Sequence, residues 1–140
     1  MPVKLKPYVN DYKINVFEIA GLTDEEIKRF KSDFRIVANF FAKRRKNPNY
    51  VPDDMTEMIH PDEVLSLIAS ASGDERYFHV KDDKEKGKVT NMCEVADRLE
   101  KRGVIKILSE LVKEGILSIS DAAKRAGMSV AAFKAAIKSI

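Results

Sequence analysis

The residues best suited to chemistry in this chain are cations, and they fall in two clusters. Lys124 and Arg125 lie within Ser118-Ile-Ser-Asp-Ala-Ala-Lys-Arg-Ala-Gly-Met-Ser-Val-Ala-Ala-Phe133, and Lys134 and Lys138 come just after it. The second cluster is the run Lys43, Arg44, Arg45, Lys46. Side chains of this type hold phosphates, giving salt-sensitive binding that reads little sequence. Base reading needs Arg, Asn or Gln, which bond base edges bidentately. The helix expected after Ser129 instead presents Ser129, Ala131, Ala132, Lys134, Ala135 and Lys138. Lys43–Lys46 also has a plain alternative reading, because cations collect at helix C-termini, where the helix dipole is negative.

Groups for catalysis are thin. His60 and His79 are not at metal-ligand spacing, and no Ser or Cys stands beside a plausible base. There is no glycine-rich phosphate loop. The acidic pairs Asp53-Asp54, Asp62-Glu63 and Asp82-Asp83 fall where loops or first helical turns account for them. Lone Cys93 forms no internal disulfide and reads as a small core residue of a cytoplasmic protein. No enzyme, catalytic residue, metal ligand or cofactor is therefore expected.

The elements that must position the cations are set by residue pattern. Tyr12, Ile14 and Val16 alternate within Tyr12–Ile19, a strand signal. Thr23-Asp-Glu-Glu26 has the form of a capping box. Ile27, Phe30, Phe34, Val37 and Phe41, spaced 3, 4, 3, 4, predict one long helix from Asp24 to about Arg45. Asn47–Pro52 breaks it. His60-Pro61 opens a shorter helix running to the Ser70–Gly73 stretch, and Asp74–Val80 forms a further turn. Lys81–Lys88 has no apolar residue and reads as a loop or linker. Thr90 or Asn91 caps the next helical pattern, which is either one helix through Gly103 or two, with Gly115 as C-cap.

At the C-terminus, Ser120 is expected to cap a short helix carrying Ala122 and Ala123, Gly127 to make the turn, and Ser129 to cap Val130 to Lys138. Ile119, Val130, Phe133 and Ile137 would fill the corner of a helix-turn-helix. The expected fold is mainly α: a helical domain with one N-terminal β-strand and a C-terminal helix-turn-helix-like subdomain. Residues 1–80 form a strand-plus-helix interaction domain, 81–89 a charged linker and 90–140 a helix plus the terminal unit. No apolar run approaches the roughly 18 residues that span a bilayer, and the N-terminus lacks the apolar stretch of a secretory signal.

Charge is uneven. Residues 24–46 carry eight basic and four acidic side chains, 53–100 six and thirteen, and 101–140 eight and three, within a net +3. Basic ends around an acidic middle suit either nucleic acid or a match between subunits or within the chain.

Three segments in this order, YKINVFEIAGLTDEEIKRFKSDFRIVANFFAKRRKN, VTNMCEVADRLEKRG and the terminal helix-turn-helix-like stretch, resemble the C-terminal half of the recombination-promoting nucleases, the PD-(D/E)XK family transposases. The resemblance runs from about Tyr12 onward. In that family the metal-binding Asp and Glu-x-Lys/Gln elements belong to an N-terminal core, and nothing before Tyr12 supplies them, so no catalytic residue carries over. The family also makes short products from the end of the long gene, which associate with and restrain the full-length nuclease. This chain has the size and starting Met of such a product, but lacks the EGxxEG-type repeat common in family C-termini.

A lone strand leaves backbone groups unpaired and needs a partner. With the Phe-rich helix, it points to a homodimer, or to pairing with a full-length nuclease, through Ile14, Val16, Phe30, Phe34, Val37 and Phe41, with the 91–112 region as a further contact. The alternative is a DNA-binding protein using the terminal unit. A third reading, a metal-dependent nuclease built from the acidic middle, has a direct check. Supercoiled plasmid incubated with the purified chain and Mg2+ or Mn2+ is expected to stay intact, and metal-stimulated nicking would restore the enzymatic reading.

Overall fold

The computed structural model describes residues 15–81 and 87–138. A 3-10 turn at Ile19–Gly21 leads into α1 (Asp24–Ile27), α2 (Phe34–Lys46), α3 (Pro61–Ser72), α4 (Arg76–Lys81), α5 (Met92–Lys113), α6 (Ile119–Arg125) and α7 (Val130–Lys138). The fold is mainly α. The expected strand at Tyr12–Ile19 falls partly outside the described residues; within them, 15–18 form no strand and Ile19 enters the 3-10 turn.

The capping box forms. Thr23 Oγ1 accepts from the Glu26 amide at 3.3 Å, and the Glu26 carboxylate accepts from the Thr23 amide at 2.8 Å. The expected long helix nevertheless breaks after Ile27 and restarts at Phe34. Packing explains the break. Leu22 and Ile27 bury against Ala38 and Ala42. On one straight helix Ile27 and Ala38, eleven residues apart, would be separated by about 16 Å. Folding back lets the small alanines receive the larger side chains, and Phe30 meets Phe34 edge-on at 5.1 Å. Gly21 sits so close to α2 that an added Cβ would lie 3.1 Å from Arg45 Nη1.

The main core joins Ile36, Val37 and Phe40 of α2 to Val64, Leu65, Ile68 and Ala69 of α3 and to Tyr77 and Val80 of α4. Met58, Val89, Met92 and Val95 complete it. Pro61 occupies the first turn of α3, and Gly73, at φ 68°, terminates it in the left-handed region. Asn91 caps α5, accepting from the Glu94 amide at 3.0 Å.

α5 is one 22-residue helix that continues through Gly103. Its beginning belongs to the main core, while Ile105 and Leu108 pack with Ala122, Ala123 and Phe133 in a second cluster. The apolar clusters therefore part inside α5, whereas the sequence pattern placed the division at 81–89, of which 82–86 lie outside the described residues. In the terminal unit Ser118, not Ser120, caps α6, accepting from the Asp121 amide at 3.1 Å. Ser129 Oγ accepts from the Ala132 amide at 3.2 Å, as expected of the α7 cap. At Gly115 and Gly127 (φ 73° and 67°) the next residue's amide reaches back to a carbonyl five residues earlier: Ile116 to Leu111 and Met128 to Ala123. Phe133 is fully buried, and Ile119 and Ile137 pack around it. Val130, expected in that corner, is exposed. No helix of the described residues is long and apolar enough to cross a membrane.

The segment after α2 belongs to no helix, and the Asp54 carboxylate is one of the groups that hold it. Asp54 accepts from Asn39 Nδ2 and from the Thr56 amide, both at 2.9 Å. Burial opposes its ionisation, but the bonds from Thr56 and Asn39 and the nearby Arg35 outweigh it and hold the carboxyl below its ordinary range. A folded value below the unfolded one means that the stabilisation is present above the unfolded value and lost as pH falls through the folded one. Asp54→Ala should cost about 1–3 kcal/mol in urea denaturation at neutral pH, and the gap from wild type should close in strong acid. Gly103 tests the shared helix from the other direction. Its φ is not positive and a Cβ there meets nothing within 4 Å, so Gly103→Ala should raise stability by about 1 kcal/mol. A loss in the same measurement would show that α5 needs a glycine there.

Candidate interaction surface

The residues expected at an interface have separate fates. Ile14 lies outside the described residues. Val16 is 88% exposed. Val37 is only 3% exposed and belongs to the main core, so little of it remains for a partner. Phe41 packs partly against the same core, its ring 5.2 Å from Phe40. Phe30 and Phe34 are half-buried and keep open faces.

Those open faces line two grooves. One, of about 310 Å3, is formed by Phe17, Leu22, Glu26, Arg29 and Phe30. The other, of about 280 Å3, lies between α2 and α3 and is lined by Ser32, Asp33, Phe34, Val37, His60, Glu63, Val64 and Leu67. The Phe30–Phe34 ring contact links the two linings. Phe17, 64% exposed, and Leu67, 45% exposed, stand at this surface, and sequence reasoning did not assign either to it. A signal for Leu67 existed. Val64, Leu65, Leu67 and Ile68 span more of a helix circumference than one core contact covers. Ile59, just before α3, is also exposed.

Glu63 rims the second groove, and Arg29 lies at the first, each without a salt bridge among the described residues. At the α2–α3 junction the Asp33 carboxylate accepts from the His60 amide at 2.6 Å and lies 3.7 Å from Nδ1 of the same residue. This fixes the start of α3 against the start of α2.

The Lys43–Lys46 run is largely neutralised within the chain. Lys43 pairs with Asp53 at 2.8 Å, and Asp53 also accepts from the Tyr50 hydroxyl at 2.6 Å. These bonds, Lys43 first and Tyr50 second, hold the Asp53 carboxyl low, and Asp53 in turn raises Lys43. Arg45 pairs with Glu18 at 2.6 Å. Arg44 lies over the Phe40 ring and 4.0 Å from Asp74. Lys46 alone of the four has no salt bridge among the described residues. Lys124, Arg125, Lys134 and Lys138, by contrast, are all exposed, and none is in a salt bridge among the described residues.

A polar groove of about 270 Å3 includes Arg35, Asn39, Lys43, Asp54 and Thr56. These groups already bond within the chain: Arg35 to Thr56 at 2.9 Å, Asn39 to Asp54, and Lys43 to Asp53. The groove ties α2 to the segment that follows it. Among the described residues no group of three or more His, Cys, Asp or Glu side chains is placed to hold a metal ion. His60 and His79 are exposed on separate elements, and Cys93 is half-buried in α5.

Comparison with protein-family models, curated proteins and solved structures finds no match.

Proposed function

We propose that this chain is a non-catalytic interaction module that pairs with a second copy of itself through the linked apolar grooves of α1, α2 and α3. The same surface would engage a full-length nuclease of the recombination-promoting type, in keeping with the sequence resemblance. The observation that carries the reading is the continuity of the two grooves through Phe30 and Phe34, with Phe17 and Leu67 open to solvent beside them. Exposed apolar area of this kind gains free energy when a partner covers it, roughly 25 cal/mol per Å2.

Charge favours a second copy over an unrelated partner. Arg29 stands beside Glu26 at one groove, and Glu63 and Asp33 line the other. A two-fold axis near the Phe30–Phe34 contact would set the cation of each copy toward the carboxylate of its mate, the self-complementarity that an isologous interface requires. On this reading the interface differs from the one that the sequence pattern suggested. Phe30 and Phe34 remain in it, Phe17 and Leu67 join it, and Val37 and Phe41 serve the chain's own core.

Sedimentation equilibrium at high micromolar concentration should return about twice the 15.8 kDa chain mass. Phe17→Glu with Leu67→Glu should return the monomer mass with unchanged helical circular dichroism, since both side chains are exposed in the single chain. A monomeric wild type at that concentration would sink the proposal. A dimer indifferent to the double substitution would move the interface elsewhere.

A further inference from the structure

The apolar face leaves the terminal cations without a role. α6 and α7 pack on the second half of α5 around Phe133, with Ala122 and Ala123 buried where the two helices meet it. Small residues at that crossing let α6 and α7 approach closely, and the left-handed Gly127 turns the chain between them. The interior side of α7 is Phe133, Ala136 and Ile137, so its outer side carries Ala131, Ala135, Lys134 and Lys138.

The charge of this unit is not answered from within. Asp121 is the sole acidic residue between Ser118 and Lys138, against four cations. Its carboxylate accepts from the Ser118 hydroxyl at 2.6 Å in the α6 cap. The contrast with Lys43–Lys46 is informative. There, partners come from 10, 27 and 30 residues away in sequence (Asp53, Glu18 and Asp74). Here the fold brings none within ion-pair distance among the described residues, and a cluster of exposed cations that hold no carboxylate attracts a polyanion.

We propose that the α6–α7 unit binds duplex DNA through its phosphate backbone, with Lys124, Arg125, Lys134 and Lys138 as the phosphate contacts and α7 lying against the major groove. The inference is independent of the pairing reading. A helix roughly 10–12 Å across fits the roughly 12 Å major groove of B-form DNA, and the alanine-lined outer side keeps α7 slender. The deep, narrow major groove of A-form RNA does not admit it. Alanine methyls offer no bidentate bonds, so the binding discriminates little between sequences.

Fluorescence anisotropy with a labelled 20-base-pair duplex of arbitrary sequence, using the full chain, tests this. Four phosphate contacts give a log–log salt slope of about −3.6, so raising salt from 50 to 200 mM should weaken binding by roughly 100-fold. Replacing Lys124, Arg125, Lys134 and Lys138 together by Ala should abolish binding at 50 mM salt with helicity retained. A control with Lys28→Ala, Lys31→Ala and Lys46→Ala, which removes cations elsewhere, should keep it. Absence of binding at 50 mM salt, equal loss in the two variants, or duplex RNA bound as tightly as DNA would each overturn the proposal. Poly-glutamate bound as tightly as DNA would also overturn it and assign the surface to an acidic protein.

Discussion

A stretch of backbone that crosses a helical fold without belonging to a helix must find hydrogen bonds for its amides and carbonyls. In this chain that stretch is the non-helical run from Asp53 to Met58. Its needs are met from two directions. The Met58 amide donates to the Thr90 carbonyl at 2.8 Å, and the Asp54 carbonyl accepts from the Met92 amide at 3.0 Å. On the other side, Asn39 and Arg35 of α2 bond the Asp54 carboxylate and the Thr56 hydroxyl. One short segment thus fixes where α5 begins relative to α2. The main core, closed by Met58, Val89 and Met92, depends on that placement.

α5 carries the consequence onward. At about 33 Å for 22 residues it is long enough to serve two apolar clusters in succession, one before Gly103 and one after it. An uninterrupted ladder of backbone bonds connects them, so the proposed pairing surface and the proposed DNA surface are joined by a stiff element. The outward-facing glycine at the crossover touches neither cluster, which identifies it as a local weakness in helix propensity.

Charged side chains of one type play opposite parts in the two halves. Exposed ion pairs such as Lys43–Asp53 and Arg45–Glu18 contribute little to stability, at most about 1 kcal/mol each. Their greater effect is on availability. A cation already holding a carboxylate must give it up before it can hold a phosphate, whereas a cation in water gives up only hydration. That difference separates α2 from α6 and α7 more sharply than any difference in composition.

Much of the local structure was legible in the sequence because short-range chemistry sets it. Thr23 with Glu26, Asn91 with Glu94, Ser129, Pro61, Gly115 and Gly127 act over three to five residues, and each does what its type and spacing imply. In the terminal unit the α6 cap falls on Ser118 and not on Ser120, and Val130 stays exposed. Other features needed the fold. The spacing of Ile27, Phe30, Phe34, Val37 and Phe41 predicts one continuous helix, and the burial of Leu22 and Ile27 against the alanines at 38 and 42 overrides it. The alternation at residues 12–19 was no guide to 15–18, since a strand requires a neighbour to bond with and the described residues provide none. Which phenylalanines stay open, and which cations stay unpaired, depends on partners tens of residues distant. The sequence by itself determined the mainly helical class and most of the caps and turns, which act over a few residues. Tertiary structure alone decided which side chains were left for a partner, because burial and ion pairing are properties of neighbours in space.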